Sequence, residues 1–275
     1  CSGQGDKRRG KAMNHMQETL LRCRQDGKKI LVGYFPLADP AMGDPVARVG
    51  EYLESGVDVL ELGLPYEKPV LDGAVVRDSM KRALGVTGAE AALKSIGSLR
   101  QAFPTACLQI MTYHEIIEGI GLERFCRMAK EAGADGAMSP NASDKQTEEL
   151  ELALEEQGLI MPRFAPFHLD RSTAAAIAHS AKGYVFVQAQ DGKTGVQTVI
   201  PGKVGENISL LRSCSEDIPL YAGFGISCPE QIRTLIDMDA DGVIVGSSII
   251  SAVLEGKSKI YISSLRAALD DQARC

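Results

Sequence analysis

The stretch VDVLELGLPYEKPVLDG, residues 57–73, joins an apolar run to a turn that carries two carboxylates. The apolar run predicts a buried strand over 57–63, which a glycine and a proline then end. Glu61 lies at the carboxyl end of this strand, and Asp72 follows in the turn before the next glycine. Burying an unpaired charge is unfavourable. Glu61 is therefore either paired with a basic residue such as Lys68 or chemically active.

Similar apolar runs recur along the chain and alternate with amphipathic stretches. They predict eight strands: ILVGYF (30–35), VDVLELG (57–63), CLQIMTY (107–113), DGAMS (135–139), LIMPRF (159–164), GYVFVQ (183–188), IPLYAGF (218–224) and DGVIVG (241–246). Apolar strands separated by helices indicate a parallel sheet with a covered face. Eight such units in about 250 residues predict an α/β fold of the TIM (β/α)8 barrel type. No G-x-G-x-x-G follows the first strand, which argues against a doubly wound sheet.

Helices are predicted where apolar residues recur three and four positions apart, most clearly over 44–55, 121–133 and 228–237. We predict an extra N-terminal helix over 13–26 that lies across the bottom of the barrel, and a last helix over 262–273. Residues 13–275 are expected to form a single TIM-barrel domain. Residues 1–12 are expected to be an arm that is either disordered or left over from cloning.

The composition is ordinary for a globular protein, with 44% hydrophobic and 24% charged residues. A net charge of −6 argues against a nucleic-acid partner. No apolar run approaches the ~20 residues that span a bilayer, so we expect no membrane association. The seven cysteines are scattered, without a CxxC pair or a histidine at ligand spacing. This pattern predicts reduced thiols, a cytoplasmic location and no metal site.

The mouth of the predicted barrel collects the candidate functional residues, because TIM-barrel active sites form at the carboxyl ends of the strands. Glu61 and Asp72 should both face this mouth, where two carboxylates in different environments can take separate acid and base roles. Tyr113 ends the third strand. It would either close over an aromatic ligand or pack at the rim.

Glycine-rich turns follow the last three predicted strands: DGKTG (191–195), GFGIS (223–227) and GSS (246–248). Turns after strands seven and eight, next to a helix N-terminus, form the phosphate site of many TIM barrels. Glycine lets backbone N–H groups approach an anion closely. We therefore predict phosphate binding, although Gly192, Gly223 and Gly225 could instead be simple turn formers.

These motifs resemble the tryptophan synthase alpha chain family from about residue 16 to about residue 254. LELGLPYEKPVLDG is similar to the signature ELG-[IVL]-P-[FY]-S-D-P-x-x-D-G, YFPLADP to F-V-T-L-G-D-P, and MTYHE to M-T-Y-Y-N. GYVFVQAQDGKTG resembles G-Y-x-Y-x-x-S-x-x-G-x-T-G, while AGFGIS and VIVGSSII resemble G-F-G-I and G-S-A-I-V. The resemblance implies a carbon–carbon lyase of tryptophan biosynthesis. Such an enzyme cleaves indole-3-glycerol phosphate to indole and glyceraldehyde 3-phosphate, with no metal and no organic cofactor.

The resemblance also implies residue roles. Glu61 would be the general acid/base that protonates the indole ring carbon bearing the side chain. Asp72 would accept a hydrogen bond from the indole N–H and stabilise the positive charge that develops there. The other residues assigned to the substrate and phosphate site are Tyr34, Tyr113, Phe186, Thr194, Gly195, Gly223, Gly225, Gly246 and Ser247.

The chain departs from the family pattern at several positions. Glu67-Lys68-Pro69 replaces S-D-P, and Asn141-Ala142-Ser143-Asp144-Lys145 replaces D-[LV]-P-x-E-E. Phe186 replaces a tyrosine, and Pro36 and Ala38 replace threonine and glycine. In the family, the aspartate at the position of Asn141 communicates with the beta chain. The resemblance therefore implies a tryptophan synthase beta chain as partner, while the substitution predicts weak coupling to it.

Three functions remain open from the sequence. The first is the lyase, acting with or without a beta chain. The second is a paralogue that acts alone on another indole-like or sugar phosphate; a Schiff-base aldolase is disfavoured because no predicted strand ends in lysine. The third is a non-catalytic regulatory subunit that activates a beta-type partner, which the presence of Glu61 and Asp72 argues against.

Overall fold

The computed structural model describes residues 13–192 and 199–272, which form a ring of eight parallel strands surrounded by helices. The strands β1 to β8 are Ile30–Pro36, Val59–Gly63, Cys107–Met111, Gly136–Met138, Arg163–Ala165, Val185–Gln188, Leu220–Gly223 and Gly242–Val245. Strands that follow one another in the chain are paired, except β4 and β5, and β1 also pairs with β8. The predicted TIM barrel is confirmed.

Helices cover the outside of the ring. Helices α1 to α12 are His15–Gln25, Pro45–Glu54, Ala74–Leu84, Ala89–Ala102, His114–Ile120, Leu122–Glu131, Asp144–Glu156, Arg171–Ser180, Gly202–Cys214, Pro229–Asp237, Ser247–Leu254 and Ser258–Gln272. A short 3-10 helix, Pro40–Met42, follows β1. The predicted extra helix before β1 is α1. The predicted arm, residues 1–12, lies outside the described residues.

The barrel closes between β4 and β5 through a single parallel bridge from Gly136 to Ile160. A Cβ atom on Gly136 would lie 2.2 Å from the Ile160 carbonyl oxygen, so only glycine permits this approach. The fifth strand was predicted over 159–164, but β5 begins at Arg163. Pro162 lies between the bridge and the strand, and it has no N–H to donate to a ladder.

The inside of the barrel is packed with apolar side chains, most of them from the strands. This interior cluster includes Val32, Val59, Cys107, Tyr184, Tyr221 and Ile244. Met16, Leu20 and Cys23 of α1 join the cluster, so α1 closes the bottom of the barrel as expected. The larger apolar cluster lies between the strands and the outer helices.

Three aspartates hold the strand starts at the bottom of the barrel. Each aspartate accepts a hydrogen bond from a backbone N–H of the preceding strand. Each also forms an ion pair with an arginine of an outer helix. The pairs are Asp58 with Arg266, Asp135 with Arg100, and Asp241 with Arg212. Charged groups at this end of a TIM barrel serve stability, which leaves the opposite end for chemistry.

Candidate active site

Glu61 lies inside the barrel, near the carboxyl end of β2. In the parallel ladder it stands opposite Tyr34 of β1 and Gln109 of β3, so the three side chains share the interior face. Glu61 is 3% exposed, and its Oε1 has no hydrogen-bond partner in residues 13–192 and 199–272. Lys68 is exposed on the following loop, and no ion pair joins it to Glu61 in the described part of the chain. The alternative, an ion pair between Glu61 and Lys68, is therefore not observed in the described residues.

The surroundings of Glu61 favour its protonated form. Burial raises the pKa of Glu61 from 4.5 to about 8, and the negative charge of Asp72 adds to this effect. Removing a carboxylate from water disfavours its charge, and a nearby like charge does the same. Glu61 therefore holds a proton at neutral pH. A carboxyl group in this state can act as a general acid.

Asp72 has a different environment, at the mouth of the barrel. It is half-buried in the loop before α3, and Gly73 caps that helix. The Tyr113 hydroxyl donates a hydrogen bond to Asp72 Oδ2 at 2.7 Å and accepts one from the Leu71 N–H at 3.0 Å. The start of a helix also favours negative charge. Asp72 is thus held as a hydrogen-bond acceptor beside a proton-bearing Glu61.

Tyr113 organises this loop from the adjacent strand end. Its ring stacks on Tyr66, with 4.8 Å between the ring centroids. Burial and the charge of Asp72 raise the pKa of the Tyr113 hydroxyl, which keeps it a donor. Tyr113 was expected either to close over an aromatic ligand or to pack at the rim. In the structure it packs against the loop at the rim that carries Asp72.

A cleft of about 710 Å³, measured to its open mouth, contains both carboxylates. The enclosed part of this cleft is smaller, about 70 Å³. The lining residues are Tyr34, Glu61, Leu71, Asp72, Val76, Met80, Met111, Thr112, Tyr113, Pro140, Phe186, Phe224, Gly225, Ile226, Ile244, Gly246 and Ser247. Most of the residues that line the cleft are apolar or aromatic. The two carboxylates lie in one part of the cleft, and the start of a helix lies in another. The cleft therefore suits a flat apolar group attached to an anion.

The helix start belongs to α11. Gly246 is its N-cap residue, and both Gly246 and Ser247 line the cleft. The first N–H groups of a helix have no partners within the helix and attract anions. Ser248 Oγ donates to the Ile226 carbonyl at 2.9 Å, which ties α11 to the turn after β7. Gly225 in that turn has φ +79°, a conformation that glycine adopts readily.

Three predicted site residues are not among the residues described as lining the cleft. Gly223 is not among the lining residues of the described cleft. A Cβ atom there would lie 2.6 Å from the Phe186 ring, so Gly223 makes room for that ring. Thr194 and Gly195 lie outside the described residues.

Some site residues were missed from the sequence. Phe224 lines the cleft, and its ring lies 5.5 Å from the Phe186 ring, between centroids. It has φ +77°, which is strained for a bulky residue and typical of functional sites. Below the cleft, the Tyr184 hydroxyl donates to Gln109 Oε1. Gln109 is a polar residue within the apolar run CLQIMTY, and this could have indicated that it has a hydrogen-bond partner inside the barrel.

Neither a metal centre nor a membrane helix is found in the described residues. No group of three or more histidine, cysteine or acidic side chains within 13–192 and 199–272 is placed to hold a metal ion. His168 contacts Asp191 at 3.0 Å on the exposed rim. None of the helices in these residues has the length and apolar character needed to cross a membrane.

Comparisons with known proteins agree with this geometry. The sequence model described as "Tryptophan synthase alpha chain" matches residues 20–271. The chain is 31% identical to the tryptophan synthase alpha chain of Rhizorhabdus wittichii over 264 residues, which cover 94% of this chain and 97% of that one. It is 28% identical to the alpha chain of Opitutus terrae, covering 94% and 97%. The solved tryptophan synthase subunit alpha of Legionella pneumophila superposes with a TM-score of 0.83 at 27% identity, covering 94% and 100%.

Proposed function

Because this chain belongs to the tryptophan synthase alpha chain family, whose members are lyases of indole-3-glycerol phosphate, we propose that Glu61 and Asp72 carry out that cleavage here. The observation that carries the proposal is the buried, proton-bearing carboxyl group of Glu61 in an aromatic-lined cleft. The neighbouring Asp72 supplies the second carboxylate that the reaction requires.

The chemistry needs one proton to move within the substrate. Glu61 donates its proton to the indole ring carbon that carries the glycerol side chain, and the ring nitrogen becomes positively charged. The bond between this carbon and the side chain then breaks, and its electrons restore the neutral aromatic ring. The adjacent side-chain hydroxyl loses its proton and becomes the aldehyde of glyceraldehyde 3-phosphate. Glu61, now a carboxylate, takes up that proton and returns to its starting state.

Asp72 stabilises the cationic intermediate. A fixed carboxylate next to the ring N–H is favourable because positive charge develops on that nitrogen. Tyr113 supports this role, since its hydroxyl holds Asp72 Oδ2 in position. The hydrogen bond also orients Asp72 before the substrate arrives, so less reorganisation is needed during the reaction.

The phosphate of the substrate is proposed to bind at the start of α11 and the turn after β7. Gly225, Gly246 and Ser247 line this part of the cleft. Unpaired N–H groups and the helix dipole favour a phosphate there. The assignment of Thr194 and Gly195 to the same site stays a prediction from the sequence resemblance.

Members of this family normally pair with a beta chain, and we propose that such a partner couples only weakly to this chain. Here, Asn141 Oδ1 accepts hydrogen bonds from the His114 N–H at 2.9 Å and from Ser139 Oγ at 3.1 Å, and its amide donates to Glu115. These contacts engage Asn141 at the start of α5. Because Asn141 carries no charge where the family has an aspartate, charge-assisted hydrogen bonds from this position are lost, which supports weak coupling to a beta chain. A cytoplasmic location also stays a prediction from the cysteine pattern.

Product formation tests the proposed function. Purified protein is incubated with indole-3-glycerol phosphate, and indole and glyceraldehyde 3-phosphate are quantified, with and without a beta chain. We expect equal amounts of both products from the wild type, and a loss of about 10²-fold or more for Glu61→Gln. Glu67→Gln, on the exposed loop, is the matched control and should retain the wild-type rate. Absence of both products with the wild type would refute the proposal.

A further inference from the structure

Tyr34 has a buried hydroxyl group that the residue roles above leave unused. Its side chain is 6% exposed and lines the cleft. The hydroxyl oxygen is buried and has no hydrogen-bond partner among the described residues, 13–192 and 199–272. Buried polar groups in folded proteins are nearly always hydrogen-bonded, so an unpaired hydroxyl in a cleft indicates that a ligand supplies its partner.

The position of this hydroxyl is set by two strands. Tyr34 stands opposite Glu61 in the ladder between β1 and β2. Its hydroxyl oxygen lies over Gly63, because a Cβ atom on that glycine would be 2.0 Å away from it. Gly63 follows Glu61 by two residues, on the same face of the strand and nearer the mouth. The Tyr34 hydroxyl therefore lies on the mouth side of Glu61, within the cleft that both residues line.

The electrostatic surroundings define what the hydroxyl can do. Burial, followed by the charges of Asp72 and Glu61, raises the pKa of Tyr34 well above its ordinary value. Tyr34 therefore keeps its proton during any reaction near neutral pH. It can donate a hydrogen bond, and it cannot serve as a general base.

We propose that Tyr34 is a further catalytic residue, whose hydroxyl donates a hydrogen bond to the substrate oxygen that becomes the aldehyde. The proposal rests on the proposed function. When Glu61 has given its proton to the ring carbon and accepts the proton of the side-chain hydroxyl, negative charge develops on that oxygen. A donor aimed at this oxygen stabilises the transition state more than the ground state. Tyr34 retains its own proton throughout.

Compared with the family motifs quoted above, this chain carries its aromatic hydroxyl group at a different position in the cleft. The segment F-V-T-L-G-D-P has phenylalanine where this chain has Tyr34, and the segment G-Y-x-Y has tyrosine where it has Phe186. Both residues line the same cleft. This chain therefore places an aromatic hydroxyl on β1 instead of β6. The exchange distinguishes this chain from the quoted family motifs at both positions.

Tyr34→Phe tests the proposal, because it removes the hydroxyl and keeps the ring. We expect kcat/KM for indole release to fall by about 10- to 100-fold, the effect of losing one hydrogen bond to developing charge. Tyr52→Phe is the matched control. Its hydroxyl is also buried and unpartnered within the described residues, but it lies among the outer helices. This control should retain the wild-type kcat/KM.

A second measurement separates catalysis from packing. Indole-3-propanol phosphate keeps the ring and the phosphate and lacks both side-chain hydroxyls. Its Kd should be the same for the wild type and Tyr34→Phe. A wild-type kcat/KM in Tyr34→Phe would overturn the role of Tyr34 and leave the proposed function standing. An equal weakening of analogue binding and turnover would show that the ring packing matters and would also overturn it. Absence of turnover in the wild type would instead refute the proposed function, and the Tyr34 proposal with it.

Discussion

Replacing Glu61 by glutamine should stabilise the folded protein at neutral pH while it removes activity. Burial and the charge of Asp72 raise the pKa of Glu61 from 4.5 to about 8. The unfolded chain therefore releases this proton at a lower pH than the folded protein does. The contribution of Glu61 to stability is complete below pH 4.5 and is lost as the pH rises to about 8. Glutamine has nearly the same shape and cannot ionise, so the variant avoids this loss.

The expected magnitude follows from the width of this interval. Each pH unit between the two pKa values lowers the free energy of unfolding of the wild type by about 1.4 kcal/mol. From 4.5 to about 8, the total loss is at most about 5 kcal/mol. At pH 7 the loss is about 3 kcal/mol, counted from 4.5. This is a large part of the roughly 5–15 kcal/mol by which proteins are stable.

Urea unfolding measured from pH 5 to pH 9 tests this prediction. The stability of Glu61→Gln relative to the wild type should increase with pH and then become constant above about 8, with unchanged m-values. Glu67→Gln, an exposed carboxylate on the next loop, should show no such trend. A difference that does not change with pH would refute the reasoning, because it would mean that Glu61 is ionised equally in the folded and unfolded chains.

Three further results are expected. Asp72→Asn should lower kcat for indole release by about 10²-fold or more in steady-state assays, because the ring nitrogen loses its charged partner; a wild-type kcat would contradict this role. Ala38 has φ +63°. Ala38→Gly should therefore raise the free energy of unfolding by about 0.5–1 kcal/mol in urea titrations, since the relief of left-handed strain exceeds the entropy that glycine adds to the unfolded chain. A standard tryptophan synthase beta chain should activate indole release weakly or not at all, because Asn141 replaces an acidic residue. Strong activation in a titration would show that the substitution is tolerated.

Much of the fold was predictable because local patterns carry it. Eight apolar runs, each followed by a turn and an amphipathic stretch, define the strands of the barrel. The rule that barrel chemistry lies at the carboxyl ends of strands then placed Glu61 and Asp72 at one mouth. The glycine turns after β7 and β8 predicted where an anion would bind, and Gly225, Gly246 and Ser247 of these turns line the cleft.

The remaining features depend on contacts between distant parts of the chain. Arg266 pairs with Asp58, 208 positions away, and no local periodicity reveals such a pair. The same holds for the contact between Gln109 and Tyr184, 75 positions apart. Phe186 of β6 packs over Gly223 of the adjacent strand β7. This contact can be predicted only when the register of the two strands is known. A motif comparison also assigns a residue type to a position and cannot show that the Tyr34 hydroxyl has no hydrogen-bond partner among the residues that the structure describes.

The dependence of kcat/KM for indole release on pH tests the central claim most directly. This ratio reports the ionisation of the free enzyme, and the substrate phosphate, with a second pKa of about 6, is almost fully ionised above pH 7. If Glu61 must hold the proton that it delivers to the ring, kcat/KM should be constant between pH 7 and the pKa of about 8 and then fall about tenfold for each further pH unit. A kcat/KM that rises through pH 8, or stays constant well above it, would contradict the assignment of Glu61 as the proton donor.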